Sequence, residues 1–242
     1  MSAVVINGLW AGYGRRRVLH GVTARIPAAR VTAVVGPNGS GKSTLLGAVA
    51  GVVPAAAGTI GRRTAERPAL VVQRSAVADA LPITVRETVS MGRWAQRGAW
   101  RRLTRRDRTV IDSCMDRLDI RHLAERPLGA LSGGQRQRAL VAQGLAQESD
   151  LLLLDEPATG LDVEAQQRIS GALDHATRQG ATVVHATHDL AAALRADHCM
   201  LITGGRVVAE GPPADVLTPG ALARVWGVPQ VEGEGAPGGA AR

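Results

Sequence analysis

Apolar positions along this chain follow one rhythm at both ends and another in the middle. Val4-Val5-Ile6, Val18-Leu19 and Val22-Thr23-Ala24-Arg25-Ile26 are short apolar or alternating runs broken by Gly and Pro, so the first 30 residues predict a small sheet. Val31-Thr32-Ala33-Val34-Val35 predicts a buried strand that ends at a glycine-rich loop, after which Ser43-Thr44-Leu45-Leu46 opens a helix. Leu70-Val71-Val72 predicts another buried strand, ending in Gln73. From about residue 80 to 148 strand signals fade, and charged and apolar positions alternate at helical spacing, as in Val110 to Leu118. That stretch is expected to be a helical subdomain inserted between core segments 1–79 and 149–228. Buried strands then return at Leu151 to Asp155, Thr182 to Thr187 and Cys199 to Ile202, separated by helices around Val163 to Arg178 and Leu190 to Leu194. After Trp226 the residues are mainly Gly, Ala, Pro and Glu, which predicts a disordered tail over 229–242 and no room for an appended regulatory domain. The expectation is one α/β domain over 1–228, with an N-terminal antiparallel β subdomain.

Composition narrows the class. The 242 residues are 45% hydrophobic but only 2% aromatic, so Ala, Val, Leu and Ile must fill the core. No run approaches the roughly 20 apolar residues of a membrane span, and the N-terminus lacks a charged region followed by an apolar one, which predicts a cytosolic or peripheral protein. Cys114 and Cys199 have no motif spacing, as expected of reduced thiols. The net charge of +8 admits nucleic acid, anionic lipid or nucleotide as partner. Much of the excess lies in Arg93, Arg97, Arg101, Arg102, Arg105, Arg106 and Arg108, near Trp94 and Trp100.

Lysine and arginine total 29, yet Lys42 is the only lysine, and it falls in Gly36-Pro37-Asn38-Gly39-Ser40-Gly41-Lys42-Ser43-Thr44. Three glycines let the backbone curl so that successive N–H groups face phosphate oxygens, and the following helix adds the positive end of its dipole. Lys42 is placed to reach the β and γ phosphates, as a compact ammonium can and a broad arginine fork cannot. Ser43 is placed to ligate Mg²⁺. Asp155-Glu156-Pro157 follows a buried strand at the carboxyl edge of the sheet, where such folds bind ligands. There Asp155 suits Mg²⁺ through water and Glu156 suits taking a proton from an attacking water. Leu131-Ser132-Gly133-Gly134-Gln135 precedes a helix expected near Arg136, either as a second anion site or as an ordinary serine cap. Two such ends on different subdomains can meet on one nucleotide only if two chains pair head to tail.

Taken with Gln73, Thr159-Gly160-Leu161-Asp162 and His188, these motifs resemble the nucleotide-binding subunit of ATP-binding cassette transporters over about residues 3–228. The resemblance implies a P-loop NTPase core with a RecA-like parallel sheet, and an ATP-sandwich homodimer. In it Ser132, Gly133, Gly134 and Gln135 would contact the nucleotide held by residues 36–44 of the other subunit. It further implies that Tyr13 stacks on adenine, that Gln73 senses Mg²⁺ and the membrane subunit, that His188 contacts the γ-phosphate and that Asp162 crosses the dimer interface. Partners implied are two integral-membrane permease subunits and, indirectly, an extracytoplasmic solute-binding protein. The place implied is the cytoplasmic face of the bacterial inner membrane. Val89 to Trp94, Arg101 to Arg108, Asp150 to Asp162 and Gly211 to Pro219 are similar to the branch importing metals. Zinc is expected ahead of manganese or chelated iron, with siderophore and cobalamin importers as close neighbours.

Rival readings start from other residues. His185, His188, Asp189, His198 and Cys199 invite a regulatory metal site, but no matched ligand set is present and a strand over 182–187 places positions 185 and 188 on opposite faces, so core or loop histidines are preferred. The Arg93 to Arg108 cluster is expected to be a solvated face, or to meet permease loops or anionic lipid, rather than specific nucleic acid. A soluble cassette ATPase acting on nucleic acid or translation is the alternative function. Such proteins generally carry two cassettes or a long coiled-coil insertion, and no heptad run between Gln73 and Leu131 is long enough.

Overall fold

A computed structural model describes residues 1–72, 82–98 and 101–227; Gln73, Trp100 and the 229–242 tail lie outside the described residues. The chain opens with β1 (Ser2–Tyr13) and β2 (Arg16–Pro27), paired antiparallel, so Val18-Leu19 and Val22 to Ile26 belong to one strand rather than two. β1 also pairs with β4 (Ala55–Arg62), giving the order β2-β1-β4. The apolar pattern did not reveal β4, because AAAGTIGR carries almost no buried side chain. It is a strand because β1 offers it a ladder, which is context overriding propensity. Val4, Ile6, Leu9, Leu19, Val22 and Ile26 lie on the buried face of this sheet, in one core with Leu45, Leu46 and Val49.

The second sheet has the order β5-β6-β7-β3-β8-β9, formed by β5 (Ala69–Val71), β6 (Leu151–Asp155), β7 (Thr182–Thr187), β3 (Val31–Val35), β8 (His198–Thr203) and β9 (Arg206–Gly211). All pairings are parallel except β8 with β9, an exposed antiparallel edge. Covered on both faces, β3, β6 and β7 are buried almost throughout and mostly apolar, with Thr32, Asp155, Thr182, His185 and Thr187 as the polar positions. Register places Asp155 beside Ala186 and Val35 beside Thr187, so β3, β6 and β7 end together. α1 (Lys42–Ala50) returns along one face, and α6 (Val163–Arg178) and α7 (Leu190–Leu194) lie on the other side of β3 and β7. Two short helices, α8 (Pro213–Val216) and α9 (Pro219–Trp226), close the C-terminal end against β3 and β8.

Between β5 and β6 the described chain is helical: α2 (Val85–Met91), α3 (Trp94–Arg97), α4 (Arg105–Arg117) and α5 (Gly133–Leu145), with two 3₁₀ turns. Thr84 with Glu87 and Thr104 with Asp107 form reciprocal capping boxes that start α2 and α4. Val85, Val89, Ile111, Met115, Leu118 and Val141 join one core with β5 and β6.

The arginine cluster is not one surface. Arg101, Arg102, Arg105, Arg106 and Arg108 are exposed, but the Arg93 side chain is only 3% exposed and points inward, 3.0 Å from Asp107. A guanidinium buried this deeply requires a carboxylate, and Asp107 is fully buried beside it. Arg93 therefore belongs to neither a solvated face nor a membrane-facing one.

Candidate functional site

The loop between β3 and α1 is shaped by residues without side chains. A Cβ on Gly36 would lie 2.1 Å from the Ile202 carbonyl oxygen, and Gly41 sits at φ 107. Only glycine fits both the close approach of β8 and the left-handed turn. The loop is tied down from outside: Gly205 N–H donates to Ser40 O at 3.0 Å, and His20 N–H donates to Gly205 O at 2.9 Å. Gly41 caps α1 without a side chain, leaving first-turn amides free for an anion. Lys42 is buried, and its Nζ donates to Gly36 O at 2.8 Å and Pro37 O at 3.1 Å. Burial lowers the Lys42 pKa, while Glu156 and Asp155 act in the opposite direction.

Those carboxylates come from the end of β6. Burial raises the Asp155 pKa; a hydrogen bond from Ser43 opposes this, Glu156 adds to it and Lys42 opposes it. Asp155 Oδ1 is buried without a hydrogen-bond partner, as is Ser40 Oγ. Glu156 adopts φ 50, a left-handed conformation rare for a residue with a Cβ and enriched at functional sites. Its N–H donates to Ala186 O at 3.1 Å, and its mostly buried carboxylate lies 3.5 Å from Nδ1 of His188, just past β7. The structure therefore gathers the loop 36–44, Asp155, Glu156 and His188 at one sheet edge. An orphaned carboxylate oxygen next to a serine hydroxyl fits a hydrated divalent cation.

The other expected residues have different neighbours. Ser132 is the N-cap of α5: its Oγ accepts from Gln135 N–H at 3.3 Å, and Gln135 Oε1 accepts from Ser132 N–H at 3.1 Å. α5 thus starts at Gly133, three residues before Arg136, because the Ser132–Gln135 capping box sets its first turn. Gly134 faces Leu161, where an added Cβ would sit 3.7 Å from Cδ2. Asp162 caps α6, with Oδ1 accepting from Ala165 N–H at 2.7 Å, a local duty its motif did not disclose. Tyr13 ends β1 and is 58% exposed. His185 is buried on β7, and burial drops its pKa to about 4. Among the described residues no group of three or more His, Cys, Asp or Glu is placed to hold a metal. The Gly205 tie to the loop was not recognised in sequence; the only signal was the glycine pair at 204–205.

A family model described as "ABC transporter" matches residues 19–159. The chain is 41% identical to the hemin import ATP-binding protein HmuV of Streptomyces coelicolor, over 92% of this chain and 82% of that one. It is 36% identical to the iron(3+)-hydroxamate import ATP-binding protein FhuC of Bacillus subtilis, over 93% and 88%. With the zinc transport system ATP-binding protein TroB of Treponema pallidum it shares 35% identity, over 93% and 87%. A solved structure of a metal-chelate type ABC transporter in an inward-facing conformation superposes with a TM-score of 0.82 at 29% identity, covering 94% of this chain and 90% of that one.

Proposed function

Since this chain belongs to the ABC transporter family, as an ATP-hydrolysing subunit of an importer of metal, hemin or siderophore-bound iron, we propose that two copies bind ATP head to tail and drive uptake of chelated iron. The observation that carries the dimer is the pair of helix N-termini open to phosphate, α1 behind Lys42 and α5 behind Ser132, set in different parts of one chain. Lys42 and the amides of residues 36–44 hold the β and γ phosphates in one subunit, and Tyr13 lies under the adenine. Ser132, Gly133, Gly134 and Gln135 of the second subunit close on the same nucleotide, with Asp162 at the interface. Glu156 orients and deprotonates the water that attacks in line, and His188 contacts the γ-phosphate and holds the Glu156 carboxylate. Ser43, Asp155 and Gln73 are the residues that would hold Mg²⁺, whose charge offsets that of the phosphates.

Residues 1–228 act as one unit in this reading, and the helical stretch over about 80–148 meets two permease subunits at the cytoplasmic face of the inner membrane. No described helix is long and apolar enough to cross a membrane, and in this reading the permease subunits supply the span. A solute-binding protein outside delivers the cargo. Zinc, the expectation from sequence, falls behind an iron chelate because the relatives at 41% and 36% identity import hemin and iron hydroxamate. Growth of a deletion strain under metal limitation tests the cargo: rescue by hemin or ferric hydroxamate supports the reading, and rescue by zinc alone overturns it. Hydrolysis by the purified chain tests the activity, and a chain that neither turns over ATP nor dimerises with it refutes the site assignment.

A further inference from the structure

Arg93 lies at the turn between α2 and α3, and its buried guanidinium reaches three other parts of the chain. Nε donates to Asp107 Oδ1 at 3.0 Å; Nη1 donates to the Ala146 carbonyl oxygen at 2.7 Å and to Glu148 Oε2 at 2.9 Å; Nη2 donates to Gln96 Oε1. Three of these partners mark junctions. Asp107 is the acid of the α4 capping box, its second oxygen accepting from Thr104 N–H at 2.9 Å and Thr104 Oγ1 at 2.6 Å. Ala146 is the C-cap of α5, where a cation satisfies a terminal carbonyl and complements the helix dipole. Glu148 lies in the link from α5 to β6 and holds φ 48, a left-handed conformation that residues with a Cβ seldom adopt. Gly92 makes the approach possible, since a Cβ there would sit 2.4 Å from the Gln143 carbonyl oxygen.

The two elements joined by that link lead to the two halves of the nucleotide site. α5, with 13 residues, runs about 20 Å back to Ser132, and β6, with five, runs about 16 Å forward to Asp155 and then Glu156. A small change of angle at the link is enlarged at both far ends. We propose that Arg93 is a positioning residue that pins the α5–β6 link and thereby sets where Ser132 stands relative to Glu156. Arg93 answers both Asp107 and Glu148, Glu148 also lying 3.6 Å from Arg106, and a buried ion pair adds little net stability over apolar residues of similar size. The proposal rests on the reading that Ser132 of one copy completes the ATP site of another.

Two variants separate positioning from folding. Arg93→Met with Asp107→Asn removes both charges of the buried pair together and keeps an acceptor for Thr104, while Glu148, 37% exposed, keeps Arg106 at 3.6 Å. Glu148→Gly removes one arm of the pin while giving the left-handed backbone to a residue that adopts it freely. For the full chain, Tm, ATP affinity, kcat and KM are measured, with ATP-dependent dimerisation followed by light scattering in the Glu156→Gln background. The double variant should melt close to the parent and bind ATP equally well, yet lose about 10- to 100-fold in kcat, the scale expected of misplacement by about 1 Å. Its dimer should need more protein to form, and Glu148→Gly should show a smaller loss in the same direction. Parent-like kcat and dimerisation in the folded double variant overturn the proposal, as does a loss that only tracks Tm. If the double variant does not fold, Glu148→Gly decides by the same two criteria. A parent chain that fails to hydrolyse ATP counts against the proposed function instead.

Discussion

His188 Nδ1 stands 3.5 Å from Glu156 Oε1, across the ends of the neighbouring parallel strands β7 and β6. Glu156 is brought there by an unusual backbone, φ 50, with its amide donating to Ala186 O. The contact places an imidazole beside the carboxylate assigned to the attacking water. Glu156→Gln keeps the side-chain length and removes the base, so turnover should fall by about 10²–10⁴-fold while ATP still binds. Steady-state hydrolysis and nucleotide titration check this, and normal turnover would remove Glu156 from the role.

Lys42→Arg should abolish ATP binding although Lys42 is the only lysine among 29 lysine and arginine residues. Lys42 is buried with its ammonium on two loop carbonyls, a space that fits a thin stem and not a planar fork. Equilibrium binding of a fluorescent nucleotide measures it. Retained affinity contradicts the assignment.

Gly205→Ala should damage the phosphate loop from outside it. Its Cβ would lie 1.9 Å from the Val18 carbonyl oxygen at φ 72, and Gly205 N–H is the donor that holds Ser40 O. Overpacking and strain of this kind cost about 1–3 kcal/mol. Urea unfolding should show that loss together with weaker ATP binding.

Burial of His185 ties stability to pH. Its pKa falls from 6.5 to about 4 in the folded chain, so below 6.5 the unfolded chain takes up a proton that the folded chain refuses. Stability therefore rises with pH between about 4 and 6.5, and the contribution lost on going from pH 7.5 to 5 is about 2 kcal/mol. Chemical unfolding at the two pH values should show this dependence for the parent, and His185→Met should remove most of it. An unchanged pH dependence in that variant would show that other groups are responsible.

Much of this site was legible in residue order. The runs 31–35, 151–155 and 182–187 became β3, β6 and β7 with the expected bounds, because strands covered on both faces are apolar over most of their length. The helix expected near Arg136 began earlier because a capping box can act before any apolar periodicity appears. Arg93 was grouped with its exposed neighbours because charge along a chain does not reveal direction. Only the fold of α4 brought Asp107 to it.

By itself the sequence determined the local chemistry: a glycine loop with a single lysine, two carboxylates after a buried strand, and a serine that starts a helix. These depend on residues close in the chain, where spacing alone sets which groups can bond. The tertiary structure decided which of them meet. Parallel pairing of β6, β7 and β3 carries Asp155, Glu156 and His188 to the loop holding Lys42, while the first turn of α5 sets Gly134 beside Leu161. Such placement arises from strand pairing and from burial between distant segments, and no short stretch of sequence encodes it.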